Sequence, residues 1–71
     1  MIIKGKLISY YTVRGNRERH RTARWYGNSK IEHFKSVEEK IENLKYMHKK
    51  YDDEEMVDIT ITDEEFEIAF I

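Results

Sequence analysis

The chain contains no cysteine and no proline, and only three of its 71 residues are glycine. Without cysteine it can form neither a disulfide nor a thiolate metal site, so we expect a protein of the reducing cytoplasm. The lack of proline and the scarcity of glycine argue against a linker or a disordered segment. No apolar run approaches the roughly 18 residues of a membrane span, and residues 1–4 are too short for a signal peptide. We therefore expect one domain, residues 1–71, with no membrane partner.

Opposite charges are separated along the chain, although 13 basic and 14 acidic residues leave a net charge of only −1. Most basic residues lie in the first half and most acidic residues in the second. All five arginines fall between positions 14 and 24. The planar guanidinium group binds phosphate or carboxylate with two parallel hydrogen bonds. The arginine segment therefore predicts an anionic partner.

Alternating side chains predict a β-hairpin at the start of the chain. Residues 2–14 alternate with a period of two, as in a strand with one buried face. The Gly15-Asn16 pair is suited to a tight turn, and residues 17–26 form the returning strand. Residues 30–34 can form a short third strand.

A helix is predicted to begin at Ser36, because the sequence Ser36-Val37-Glu38-Glu39 fits a capping box. Its apolar stripe at helical spacing consists of Val37, Ile41, Leu44, His48 and Tyr51.

A second hairpin is predicted after the helix, with its turn at residues 63–64. Its six apolar side chains would share one face: Val57, Ile59, Ile61, Phe66, Ile68 and Phe70. These elements predict an α+β fold, an antiparallel β-β-(β)-α-β-β sheet with one helix packed on one face.

The register of the first hairpin divides its side chains between two faces. A two-residue turn places Arg14 opposite Arg17 and Tyr10 opposite Arg21. We expect the helix to cover the face that carries Ile3, Leu7, Tyr11 and Val13. The uncovered face would then hold the candidate residues for binding an anionic partner: Lys6, Tyr10, Arg14, Arg17, Arg19, Arg21 and Trp25. Guanidinium groups would bind phosphates of DNA or RNA, and the two aromatic rings would stack on exposed bases.

Two other roles for the arginine cluster remain open. The arginines can pair with an acidic patch on the second hairpin, formed by Asp58, Glu65 and Glu67. Exposed pairs of that kind contribute about 0–1 kcal/mol and require no ligand. The cluster can also bind an acidic surface of another protein.

No pattern in the sequence predicts an enzyme. The three histidines His20, His33 and His48 are not spaced as metal ligands, so we expect no metal and no cofactor. A glycine-rich phosphate loop and a nucleophile motif are both absent. The predicted single-layer fold also offers little volume for an active-site pocket.

Residues 7–51 resemble the small three-strand-plus-helix DNA-binding domains, arm-type or AP2-like, of tyrosine recombinases. The matching segments are Tyr10-Tyr11, Arg14-Gly15-Asn16-Arg17, residues 19–24, His33-Phe34 and residues 36–39. This resemblance implies that the basic sheet residues enter the major groove of DNA. Residues 56–71 do not belong to that pattern.

The composition supports a second hypothesis from another class. A small, cysteine-free chain with opposed charge patches is similar to accessory proteins encoded by phages or mobile elements. Such a protein would inhibit a host nucleic-acid-handling enzyme in the host-cell cytoplasm by docking on it. The acidic half would act as a phosphate mimic, or the arginines would bind an acidic patch, with charge complementarity selecting the partner.

Overall fold

The computed structural model describes residues 1–69 and shows an α+β fold, as predicted. An open antiparallel sheet has the strand order β2-β1-β3. Its elements are strand β1 (Ile2–Arg14), strand β2 (Arg17–Tyr26), helix α1 (Val37–Met47), a π-helical turn (His48–Asp52) and strand β3 (Glu55–Glu67). No helix in this part of the chain is long and apolar enough to cross a membrane.

The first hairpin has the predicted register. Arg14 pairs with Arg17, Tyr10 with Arg21, and the ladder continues to Gly5 opposite Tyr26. Gly15 occupies the turn with φ of 59°, a conformation that glycine adopts without a steric penalty. The local signals in the sequence were therefore sufficient for this hairpin.

The predicted third strand at residues 30–34 was wrong, because this segment folds as a turn. The backbone N–H groups of Ile31 and Glu32 donate to the carbonyl oxygen of Asn28. The carboxylate of Glu32 accepts hydrogen bonds from the N–H groups of Tyr26 and Phe34, at 2.8 and 3.4 Å. These local hydrogen bonds occupy backbone N–H groups that a strand would have needed for pairing with a neighbouring strand.

The predicted second hairpin was also wrong, because β3 continues straight through residues 63–64. Asp63 pairs with Lys6 and Glu64 with Gly5, along the free edge of β1. β1 is long enough to pair with 13 residues, and residues 63–64 contain no glycine or asparagine to favour a turn. The predicted partner residue Phe70 lies outside the described residues.

A β-bulge at Asp58 interrupts the alternation of β3. Ser9 pairs with Thr60 and Tyr11 with Val57, so Asp58 and Ile59 both lie opposite Tyr10. Asp58 has a φ of 54°, which is uncommon for a residue other than glycine. The apolar residues of β3 therefore do not share one face, contrary to the prediction.

Helix α1 covers the face of the sheet opposite to the one we predicted. Its buried residues Val37 and Ile41 pack with Ile8 and Tyr10 of β1. Partly buried side chains complete this core: Ala23, Trp25, Leu44, Met56 and Ile59. On the predicted covered face, Ile3 and Phe66 are buried, and the side chains of Tyr26 and Arg24 contact the ring of Phe66.

The N-terminus of α1 agrees with the prediction. The Oγ atom of Ser36 accepts a hydrogen bond from the N–H of Glu39 at 3.2 Å. The α1 helix then runs along the sheet toward the turn of the first hairpin, and its last turn widens into the π-helical turn. Asp53 adopts a left-handed conformation and ends the helical segment.

Candidate anion-binding site

Four arginines line a shallow cleft at the hairpin end of the molecule, which we call the arginine cleft. Its volume is about 220 Å³. The residues that line it are Arg14, Arg17, Arg19, Arg21, Tyr51, Asp52 and Glu54. The sheet supplies the arginines, while the π-helical turn and the residues that follow it supply the rest.

The hairpin register explains why the arginines lie together. Arg17, Arg19 and Arg21 alternate along β2 and therefore point to one face of the sheet. Arg14 lies directly opposite Arg17 across the turn. This is the face that α1 covers farther along the sheet. At the hairpin end the helix has already ended, so the guanidinium groups border a cleft instead of a core.

Three of these arginines are exposed: Arg14, Arg17 and Arg19. Within residues 1–69, none of the three lies within ion-pair distance of a carboxylate. Like charges facing each other across a ladder are unfavourable, and an anion between them would relieve this repulsion. The cleft is therefore suited to a phosphate or carboxylate.

Arg21 is the arginine that the structure holds in place. Its Nε donates a hydrogen bond to Oγ1 of the fully buried Thr12 at 3.1 Å. Its Nη2 lies 3.6 Å from Oε1 of Glu54. Arg21 thus forms the inner wall of the cleft, and its charge is partly balanced within the protein.

A polar network continues from Arg21 beneath the cleft. The hydroxyl of Tyr10 lies 2.8 Å from Nε2 of His48, and the two rings meet edge to face. Burial raises the pKa of Tyr10, Arg21 counteracts this effect, and Glu54 adds to it. Tyr10 therefore stays a neutral hydroxyl that fixes the ring of His48.

The burial of Tyr10 contradicts its predicted stacking role, whereas Trp25 is partly exposed and lies outside the cleft. Tyr10 is only 3% exposed and belongs to the core under α1. Trp25 packs against the same core, and its Nε1 donates to the carbonyl oxygen of Phe34 at 2.9 Å. Tyr10 is buried because α1 covers the face opposite to the predicted one.

Lys6 lies away from the arginine cleft, near the other end of the sheet, where it pairs with Asp63. Asp63 is exposed, and the hydrogen bond and charge of Lys6 lower its pKa. The structure thus separates Lys6 from the four arginines with which the sequence grouped it.

The predicted acidic patch does not pair with the arginines in the described residues. Glu65 lies opposite Lys4 and Glu67 opposite Ile2, near the far end of the sheet, while Asp58 occupies the bulge. Strand β1 lies between β3 and β2. The carboxylate that does contact an arginine belongs to Glu54, at 3.6 Å from Arg21.

Three residues of the cleft were not predicted: Tyr51, Asp52 and Glu54. Tyr51 is 64% exposed, although the helical spacing placed it on the apolar stripe. Asp52 and Glu54 looked like part of a solvated charge run. The i, i+4 spacing of His48 and Asp52 is a local signal in this segment, and it places these two side chains on one face of a helix.

Comparisons with protein-family models, curated proteins and solved structures find no match to this chain. The resemblance to recombinase DNA-binding domains and the similarity to phage accessory proteins therefore stay predictions.

Proposed function

We propose that the protein is a non-catalytic binding protein whose arginine cleft binds the phosphate backbone of nucleic acid. The observation that carries this proposal is the exposure of Arg14, Arg17 and Arg19 on one hairpin. No carboxylate lies within ion-pair distance of these three residues in the described part of the chain. Guanidinium groups placed in this way suit phosphate oxygens, which accept paired hydrogen bonds.

The positions of Tyr10 and Trp25, both outside the arginine cleft, favour a particular mode of binding. Proteins that bind single strands gain about 1–3 kcal/mol for each base stacked on an aromatic ring. Here Tyr10 is buried and the partly buried Trp25 packs against the core outside the cleft, so Tyr51 is the exposed ring of the cleft. Phosphate contacts alone carry no sequence information. We therefore propose backbone binding with little sequence preference, and tighter binding to duplex than to single strands.

Fluorescence anisotropy of labelled duplex and single-stranded oligonucleotides, measured over a series of salt concentrations, tests this function. Contacts to three or four phosphates should give a slope of about −3 to −4 in a plot of log affinity against log salt. The variant Arg17→Gln/Arg19→Gln should reduce the magnitude of that slope by about 2.

A matched control removes the same charge elsewhere. Lys30 and Lys35 are exposed residues of the turn between β2 and α1, outside the cleft. The variant Lys30→Gln/Lys35→Gln should retain the wild-type slope. The proposal is rejected if wild type does not bind at about 50 mM salt, or if the two variants lose affinity equally.

A second candidate function is supported by the segregation of the acidic residues. Glu64, Glu65 and Glu67 are exposed on β3, an edge strand that β1 separates from the cleft arginines of β2. In this candidate, the acidic strand occupies the cationic groove of a nucleic-acid-handling protein and inhibits it. Failure of the oligonucleotide titration would favour this function over the first.

A further inference from the structure

Three potential metal ligands converge where the π-helical turn borders the arginine cleft. Nδ1 of His48 lies 3.7 Å from Oδ2 of Asp52 and 3.9 Å from Oε1 of Glu54. One ligand atom from each residue lies within 4.8 Å of the other two. These distances are too long for hydrogen bonds. Around a tetrahedral ion with bonds of about 2.0–2.2 Å, neighbouring ligand atoms lie about 3.4 Å apart. Small side-chain rotations would therefore bring all three atoms to one ion.

An unsatisfied oxygen points into this cluster. Oε1 of Glu54 is buried and accepts no hydrogen bond within the described residues. The side chain as a whole is 12% exposed, and Nη2 of Arg21 at 3.6 Å is too distant to donate a hydrogen bond. A buried acceptor without a partner costs about 1–3 kcal/mol, and more when it is charged. A ligand that contacts this oxygen would remove that cost.

The ring of His48 is oriented for binding through Nδ1. Its other nitrogen, Nε2, lies 2.8 Å from the hydroxyl of the buried Tyr10. When Nε2 carries the proton and donates to the tyrosine oxygen, Nδ1 presents a lone pair to the carboxylates. Metal-binding histidines are commonly held by such a contact on the distant nitrogen. Tyr10 would therefore be a positioning residue.

We propose that His48, Asp52 and Glu54 bind one divalent transition-metal ion of the Zn²⁺ class. One imidazole nitrogen with two carboxylates suits Zn²⁺ and Co²⁺, whereas Mg²⁺ and Ca²⁺ prefer oxygen ligands. Three protein ligands leave a fourth position for water or for an oxygen of another ligand. Asp52 follows His48 by four residues, which is a helical spacing, whereas only the fold brings Glu54 to the histidine.

The proposed ion would change the charge of the arginine cleft. Asp52 and Glu54 both line the cleft, where their negative charge opposes the binding of phosphate. A divalent cation on these carboxylates neutralises them and releases Arg21 from its ion pair. Metal should therefore raise the affinity for nucleic acid, and nucleic acid should raise the affinity for metal by the same factor. This coupling rests on the proposed function, whereas the metal site itself does not.

Titration of the apo protein with Co²⁺, followed by the visible absorption of the bound ion, tests the site directly. Displacement of Co²⁺ by Zn²⁺ then measures the affinity for Zn²⁺. Wild type should bind one equivalent. His48→Gln and Asp52→Asn should each weaken binding at least tenfold, and Tyr10→Phe about 10- to 100-fold. His33→Gln, which alters an exposed histidine outside the cluster, should bind like wild type. Because Asp52 is exposed, its variant tests the site without disturbing the core.

Two results would overturn the metal site: Co²⁺ affinity that is unchanged in both His48→Gln and Asp52→Asn, or loss of binding in His33→Gln. Adding Zn²⁺ to the oligonucleotide titration tests the coupling. Affinity for duplex should rise in wild type and stay constant in Asp52→Asn, and an equal response in both proteins would reject the coupling. Stoichiometric metal binding without any oligonucleotide binding would reject the proposed function and leave the metal site supported.

Discussion

Tyr10 and Tyr11 are neighbours in β1 that lie on opposite faces of the sheet, so they form a matched pair for testing which face α1 covers. Tyr10 is 3% exposed and packs with Ile8, Val37 and Ile41. Tyr11 is 36% exposed, and its ring contacts His20 edge to face. The perturbation is the replacement of each tyrosine in turn by alanine or phenylalanine.

The structure predicts very different losses of unfolding free energy at the two positions. Tyr10→Ala removes a buried ring, leaves a cavity and should cost about 3–5 kcal/mol. Tyr11→Ala removes a partly exposed ring with one aromatic contact and should cost about 1 kcal/mol. A domain of 71 residues has an unfolding free energy of about 4–10 kcal/mol. Tyr10→Ala should therefore remove at least about a third of the total stability.

Urea denaturation monitored by the fluorescence of Trp25 measures these differences. With a slope near 1 kcal/mol per molar urea, Tyr10→Phe should lower the midpoint by about 1 M, because it loses only the contact with His48. Tyr11→Phe should leave the midpoint unchanged, since its hydroxyl has no hydrogen-bond partner within residues 1–69. Equal losses at both positions, or a larger loss at Tyr11, would refute the assignment of the covered face.

Two further predictions concern single contacts. Ser36→Ala should lower the unfolding free energy by about 1 kcal/mol. Ser36→Gly should lower it by only a few tenths of a kcal/mol, because glycine is a tolerated N-cap. Equal losses for the two variants in urea denaturation would contradict the N-cap role of Ser36. The hydrogen bond and charge of Lys6 hold the folded-state pKa of Asp63 below its ordinary value of 3.8. The ion pair therefore contributes to the unfolding free energy above pH 3.8, and this contribution is lost as the pH falls through the folded-state pKa. The difference between the urea midpoints of wild type and Asp63→Asn should therefore be present at about pH 6 and should shrink as the pH falls below 3.8. A difference that stays constant with pH would contradict the ion pair.

Local features of this fold could be predicted from sequence because neighbouring residues determine them. Gly15 adopts the positive φ that the turn requires, and Ser36 binds the free N–H of the next helical turn. Both signals act over a few residues. They correctly gave the hairpin register and the start of the helix.

The covered face could not be predicted from the alternation in β1, because both of its faces carry large apolar residues. One face has Ile3, Leu7 and Tyr11, and the other has Ile8 and Tyr10. A period of two separates the faces without showing which one packs against α1. That choice depends on the tertiary packing of Trp25 and Ile41, which no local pattern records.

The length of β3 also depends on a distant partner. Residues 63–64 looked like a turn because they are acidic and interrupt two apolar runs. In the structure they face the free edge of β1, and Asp63 pairs there with Lys6. The arginines were visible as a cluster in the sequence, but their cleft required Tyr51 and Glu54, which the helix and the following residues bring to the hairpin.

The central position of β1 has a consequence for the folding of the chain. β1 and β2 pair across a two-residue turn, so this hairpin can form as soon as both strands exist. The other edge of β1 pairs with β3, from Val13 opposite Glu55 to Ile2 opposite Glu67. This pairing must first close a loop of residues 14–54, which contains β2 and α1. During synthesis, that edge of β1 stays open until β3 has emerged, and its N–H and C=O groups remain available to other strands. The lysines of β1, Lys4 and Lys6, lie along this strand and would discourage wrong pairing until the acidic strand arrives.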